Sequence, residues 1–147
     1  MQNQEMQAGD RVVLDTNIVL DLFVFRDAAT TPLLQALQAG SVDWISTQAM
    51  RDELLRVLAY PQIVPRLAFY KLQAGDVLAA FDRHARIVDA AVKAPVSCSD
   101  ADDQIFIDLA VAHQAWLLSK DQAVLSMQKR LLALDVRALP AIKNIAS

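Results

Sequence analysis

Short aliphatic runs alternate along this chain with longer stretches whose apolar residues recur every three or four positions. The short runs, bounded by polar residues, read as buried strands, and the longer ones as amphipathic helices. The first strand is Arg11–Leu14, where Val12, Val13 and Leu14 run straight into Asp15, Thr16 and Asn17. A helix is predicted over 18–25. Thr31 followed by Pro32 marks another helix start, which Gly40 stops. A second strand is predicted over 42–45. Ser46 and Thr47 then precede a long helix with Met50, Leu54, Leu55, Val57 and Leu58 on its apolar side, ended by Pro61. Residues 65–85 read as helical with a break at Gly75, 86–88 as a strand, and 94–102 as a loop around Pro95 and Ser97-Cys98-Ser99-Asp100. A strong helix over 103–113, a strand at Trp116–Leu118, a helix over 122–132 and a short strand within 135–139 complete the pattern.

Strands separated by helical crossovers of this length imply an α/β fold with a mainly parallel sheet and right-handed connections. Polar residues 1–10 are expected to be a flexible N-terminal segment, 11–140 a single domain, and 141–147 a C-terminal tail. In a parallel sheet the strand C-termini, and the N-termini of the helices that follow, gather at one edge, where ligands bind. Asp15 falls at that edge.

Composition narrows the class. The hydrophobic fraction is 54% and the mean hydropathy +0.26, yet charges interrupt every segment and no apolar run approaches the roughly 18–20 residues of a membrane span. The first ten residues show no basic region followed by an apolar one, so no secretory signal is expected, and the expected compartment is the cytoplasm. Cys98 is the single cysteine, which excludes a disulfide framework and a cysteine-cluster metal site. A net charge of −3 argues against passive, charge-driven nucleic-acid binding, which usually shows a basic face. It leaves open an acid-rich nuclease, whose site is neutralised once loaded with divalent metal.

Acids recur at element boundaries. Asp15 ends the first strand, Glu53 lies one to two turns into the helix after the second, Asp103 opens a helix, and Asp121 follows the strand at Trp116–Leu118. The parallel topology lets them converge. Carboxylates brought together repel unless a cation intervenes, and carboxylates without a histidine cluster suit Mg²⁺ or Mn²⁺ better than zinc. Each acid also has a plain reading: Asp15, Asp103 and Asp121 as helix caps, Glu53 as part of a solvated face.

The order and spacing of Val-Leu-Asp-Thr-Asn at 13–17, Ser-Thr…Glu-Leu-Leu-Arg-Val-Leu over 46–58, Asp-Ala-Asp-Asp at 100–103 and Leu-Leu-Ser-Lys-Asp at 117–121 resemble the PIN-domain family of metal-dependent nucleases. The resemblance runs from Val12 to about Leu139. It implies a three-layer α/β/α sandwich, single-strand-directed endoribonuclease chemistry with Mg²⁺ or Mn²⁺, and products with 5′-phosphate and 3′-hydroxyl ends. It places the metal-binding and catalytic acids on Asp15, Glu53, Asp103 and Asp121, and supporting positions on Asn17 and Ser119. Within the acidic run it selects Asp103 by its distance along the chain from Asp121, with Asp102 the alternative and Asp100 a loop-shaping cap. The segments at 53–58 and 100–103 look most like relatives described as toxins of toxin–antitoxin pairs, which implies an antitoxin protein as partner. The rival expectation is a module of the same fold that binds RNA or protein without cutting.

The remaining polar residues carry less. His84 and His113 are isolated, Cys98 has no neighbouring base, Ser46 and Thr47 read as caps, and Lys120, Arg51, Arg56 and Asp21 as surface or supporting groups. Leu67, Phe69, Tyr70 and Leu72 cannot all face one core from a single helix, so an exposed apolar patch and a homodimer are expected.

Overall fold

The computed structural model of the chain describes residues 6–142 and the backbone of 145–146. Its strands are β1 (Met6–Gln7), β2 (Arg11–Leu14), β3 (Asp43–Ser46), β4 (Ala85–Ile87), β5 (Trp116–Leu118), β6 (Ala138–Leu139) and β7 (Ile145–Ala146). Its helices are α1 (Thr16–Leu20), α2 (Thr31–Gln38), α3 (Gln48–Leu58), α4 (Val64–Phe69), α5 (Ala74–His84), α6 (Gln104–His113), α7 (Gln122–Leu125) and α8 (Gln128–Leu132). The central sheet has the order β4-β3-β2-β5-β6, and every neighbouring pair is parallel. From β2 the chain steps outward to β3 and β4, then crosses back to place β5 on the other side of β2. The direction reverses between β2 and β5, which makes their C-terminal ends the crevice where α/β sheets hold ligands.

Strand alternation divides the core. Val12, Leu14, Trp44, Trp116 and Leu118 pack with Ile18, Leu33, Leu54, Leu58 and Phe81 from α1, α2, α3 and α5. Val13, Ile45 and Leu117 point the other way, onto Phe106, Leu109 and Ala110 of α6, Val124 of α7 and Leu131 of α8. Helices cover both faces of a mainly parallel sheet, the three-layer α/β/α sandwich expected. None of the described helices is long and apolar enough to cross a membrane.

Several boundaries differ from those the pattern predicts. The stretch 18–25 becomes α1, which begins earlier at Thr16, and a π-helical turn at Asp21–Phe25 that Arg26 closes at φ 50°. An apolar period does not distinguish hydrogen bonds that reach back four residues from those that reach back five. The expected break at Gly75 lies instead at 70–73, where Lys71 adopts φ 58°. Gly75 sits in the first turn of α5, because the Gln73–Asp76 capping box sets that helix start. The helix over 122–132 divides into α7 and α8, while the last strand, β6, falls within 135–139 as expected, after Asp135 turns the chain at φ 63°. Met6, expected in a flexible segment, is buried against the α1–α5 core, and its strand pairs in parallel with β7. Gly9, at φ 89°, makes the tight turn into β2. Residues 1–5 of the N-terminal segment, and 143, 144 and 147 of the tail, lie outside the described residues.

Candidate metal centre

Asp15 occupies the capping position of α1, but its carboxylate makes no cap hydrogen bond. The side chain is buried and turned to the sheet edge, where Ser119 Oγ donates to its Oδ2 at 2.7 Å. Ser119 is itself fully buried and accepts the Asp121 N–H at 3.0 Å. One hydroxyl therefore ties the end of β2 to the end of β5. The Asp15 N–H donates to the Leu118 carbonyl at 3.0 Å, which extends the ladder into the site.

Asp121 keeps part of its plain role: its Oδ1 caps α7 through the Ala123 N–H at 2.9 Å. Asp103 does not. It stands at the cap position of α6 without a cap bond, and its buried Oδ2 has no hydrogen-bond partner among the described residues. One oxygen from each of Asp15, Asp103 and Asp121 lies within 4.8 Å of the others.

The electrostatics follow from that crowding. Burial pushes the Asp103 carboxyl up to about 8, and the adjoining Asp121 carboxyl and the Asp15 charge add to the rise. Burial also raises Asp15 above the ordinary carboxylate range against the pull of the Ser119 hydrogen bond, with the Asp121 charge adding to it. Glu53, half-buried on α3, is raised by burial and by the Asp15 charge, while the hydrogen bond from Thr16 Oγ1 to its Oε2 opposes the shift. Glu53 stands outside the group of three but lines the same open cavity of about 370 Å³, together with Asp15, Asn17 and Asp103. Asn17 is exposed there.

Asp102 is exposed, its N–H donating to Asp100 Oδ1 at 3.0 Å, so of the acidic run the fold turns Asp103 into the cluster and uses Asp100 to shape the preceding turn. The other candidates are engaged elsewhere. Arg51 pairs with Asp82 through two bonds of 2.8 Å, Lys120 pairs with buried Asp21, Thr47 caps α3, and His84 stacks on Phe23. Cys98 Sγ faces the Ala123 carbonyl at 3.6 Å. Sequence reasoning passed over Thr16, whose hydroxyl fixes Glu53; its place between Asp15 and Asn17 was the available signal. A larger cavity, about 450 Å³, lies between the π-helical turn, α2 and α5 and holds none of the clustered acids.

The donor set fits a hard cation. Three carboxylates from separate elements meet without a histidine, and a buried oxygen among them lacks a partner; oxygen-only ligation of this kind suits Mg²⁺- or Mn²⁺-type ions. Residues 11–123 match the family model described as the PIN domain. The chain belongs to the PIN domain family. PIN domains are generally nucleases and typically use divalent metal, so the acids at the β2–β5 crevice lie on a nuclease-type fold. A search of curated proteins found no match to this PIN domain.

Proposed function

We propose that this PIN domain is a Mg²⁺- or Mn²⁺-dependent endoribonuclease that cleaves phosphodiester bonds of single-stranded RNA. The observation that carries the reading is the meeting of Asp15, Asp103 and Asp121 within 4.8 Å, with Asp103 Oδ2 buried and unpartnered. These three would hold the cation, with Glu53 beside them. When bound, such ions activate water and neutralise charge at the scissile phosphate.

The chain's own residues supply the positioning. The Ser119 hydroxyl fixes the rotamer of Asp15 and the backbone at Asp121, and Thr16 fixes Glu53. Glu53, with its raised affinity for a proton, is placed to accept or return a proton at Oε2 on the cavity wall. Asn17 offers an exposed amide at the rim and Asp102 an exposed carboxylate outside the group of three. In the same reading the protein is the toxin of a toxin–antitoxin pair acting in the cytoplasm. It pairs as a homodimer through the face that carries Phe69 and is restrained by an antitoxin protein; the toxin role rests on the resemblance of 53–58 and 100–103 alone. The test is cleavage of a labelled single-stranded RNA by purified protein, with metal removed by chelation and then restored. The reading expects activity only with Mg²⁺ or Mn²⁺, and fragments bearing 5′-phosphate and 3′-hydroxyl ends. Cleavage that persists in chelator, or leaves a cyclic phosphate, contradicts it.

A further inference from the structure

We infer that Tyr60 is a base-stacking platform that seats a nucleotide of the single-stranded substrate beside the acidic cluster; this rests on the ribonuclease reading above. Tyr60 lines the same cavity as Asp15, Glu53 and Asp103. Glu53 and Val57 lie i, i+4 on one face of α3 and Tyr60 follows two residues past the helix end, so the wall of the cavity runs from a carboxylate through an aliphatic side chain to an aromatic ring. Ile63 adds apolar surface and Gln62 an exposed amide.

The ring is both free and held. Tyr60 is 44% exposed. Phe23, Trp44, Phe81, Phe69 and Tyr70 each pack against another ring. Among the described residues, by contrast, Tyr60 has no ring neighbour, and its hydroxyl has no hydrogen-bond partner. Its backbone is fixed: the N–H donates to the Val57 carbonyl at 3.0 Å, and its carbonyl accepts from Ile63 and Val64 at 2.9 and 3.0 Å. Pro61 follows immediately. An aromatic group presented on a rigid turn loses little entropy when it receives a flat ligand.

Charge points to the same ligand. The chain carries a net charge of −3, and Arg51 is already paired with Asp82. Binding by backbone neutralisation, which scales with the phosphates contacted by Lys and Arg, can draw beside this cavity on Arg56, which is exposed and close enough to offset the rise at Glu53. Stacking on an aromatic side chain is the other general source of affinity for single strands, worth about 1–3 kcal/mol per base and tolerant of sequence. A duplex keeps its bases stacked inside, so a stacking wall beside the acids selects single-stranded substrate.

The test measures binding rather than turnover. In an Asp15→Asn background, where cleavage is blocked and one repelling charge is gone, fluorescence anisotropy reports binding of a ten-nucleotide single-stranded RNA and of an abasic oligonucleotide of the same length. Tyr60→Ala is expected to weaken binding of the RNA about tenfold and to leave binding of the abasic strand unchanged, while Tyr60→Phe binds the RNA within about twofold of the parent. RNA binding that survives Tyr60→Ala, or a loss shared equally by the two oligonucleotides, overturns the stacking role and leaves the ribonuclease reading standing. A parent protein that binds neither oligonucleotide overturns both.

Discussion

Asp103 carries the largest share of the cost of this site, with Asp15 and Glu53 raised in the same direction. In an unfolded chain the Asp103 carboxyl titrates near 4, whereas folding pushes it up to about 8. Between those values the native state holds the proton that the unfolded state has released, so stability falls as pH rises. Metal-free protein should therefore lose melting temperature steadily from about pH 4 to about pH 8, and added Mg²⁺ or Mn²⁺ should restore more at the alkaline end. A melting temperature that is flat or rising over that window in thermal denaturation contradicts the crowded-acid geometry. Ser119 is the second residue-scale lever. Ser119→Ala removes the donor to Asp15 and the acceptor of the Asp121 N–H. The expected loss is about 1–3 kcal/mol in denaturant unfolding, and about 10–100-fold in calorimetric Mn²⁺ affinity. Asp15 and Asp121 were legible in the sequence because each follows a short apolar strand, whereas Asp103 was singled out of the run 100–103 only by the family resemblance. The Thr16–Glu53 bond was not legible, since a threonine beside a strand end carries no sign of which distant helix will approach it.

At the scale of elements, α3 matters because it carries Glu53 and leads into the turn of Tyr60. Its start depends on Thr47, whose buried side chain accepts the Met50 N–H at 3.3 Å. Thr47→Ala should cost about 0.5–2 kcal/mol, read as a lowered midpoint in urea; an unchanged midpoint would show that the helix holds its start without the cap. The strand at Trp116–Leu118 was readable because a short buried run is a local property; Thr31-Pro32 marked the start of α2, but Thr31 is its first helical residue and Thr30 holds the cap position without a side-chain bond. The failures are equally local. Gly75 drew the helix break because glycine usually marks one, yet the capping box of Gln73 and Asp76 placed α5 around it. The turn fell to Lys71, a residue with no preference for the left-handed region it occupies. Met6 looked like part of a polar tail because its neighbours are polar, yet its strand pairs with one more than a hundred residues away and its side chain is buried in the core.

For the whole molecule, the strand order dictates where chemistry sits. Because the chain reverses direction between β2 and β5, acids that follow those two strands, and one that opens the crossover helix α6, meet without a dedicated loop. Of the residues expected to form an apolar patch, Leu67 is buried and Tyr70 and Leu72 pack partly on the core, because the turn at 70–73 redirects the chain, which leaves Phe69 exposed at 76%; Leu55 of α3 and Val64 of α4 are exposed as well. The homodimer reading predicts that light scattering finds a dimer and that Phe69→Glu converts it to a monomer with its circular dichroism preserved; a wild-type monomer ends that reading and leaves the nuclease assignment untouched. The central claim is that the carboxylates gathered at the β2–β5 crevice cut RNA. Parallel assays of wild type, Asp15→Asn and Asp102→Asn on single-stranded RNA with Mg²⁺ or Mn²⁺ test it most directly. Loss of more than about a hundredfold in rate for Asp15→Asn, with Asp102→Asn within a few-fold of wild type, is the predicted result. Equal rates for Asp15→Asn and wild type would contradict it.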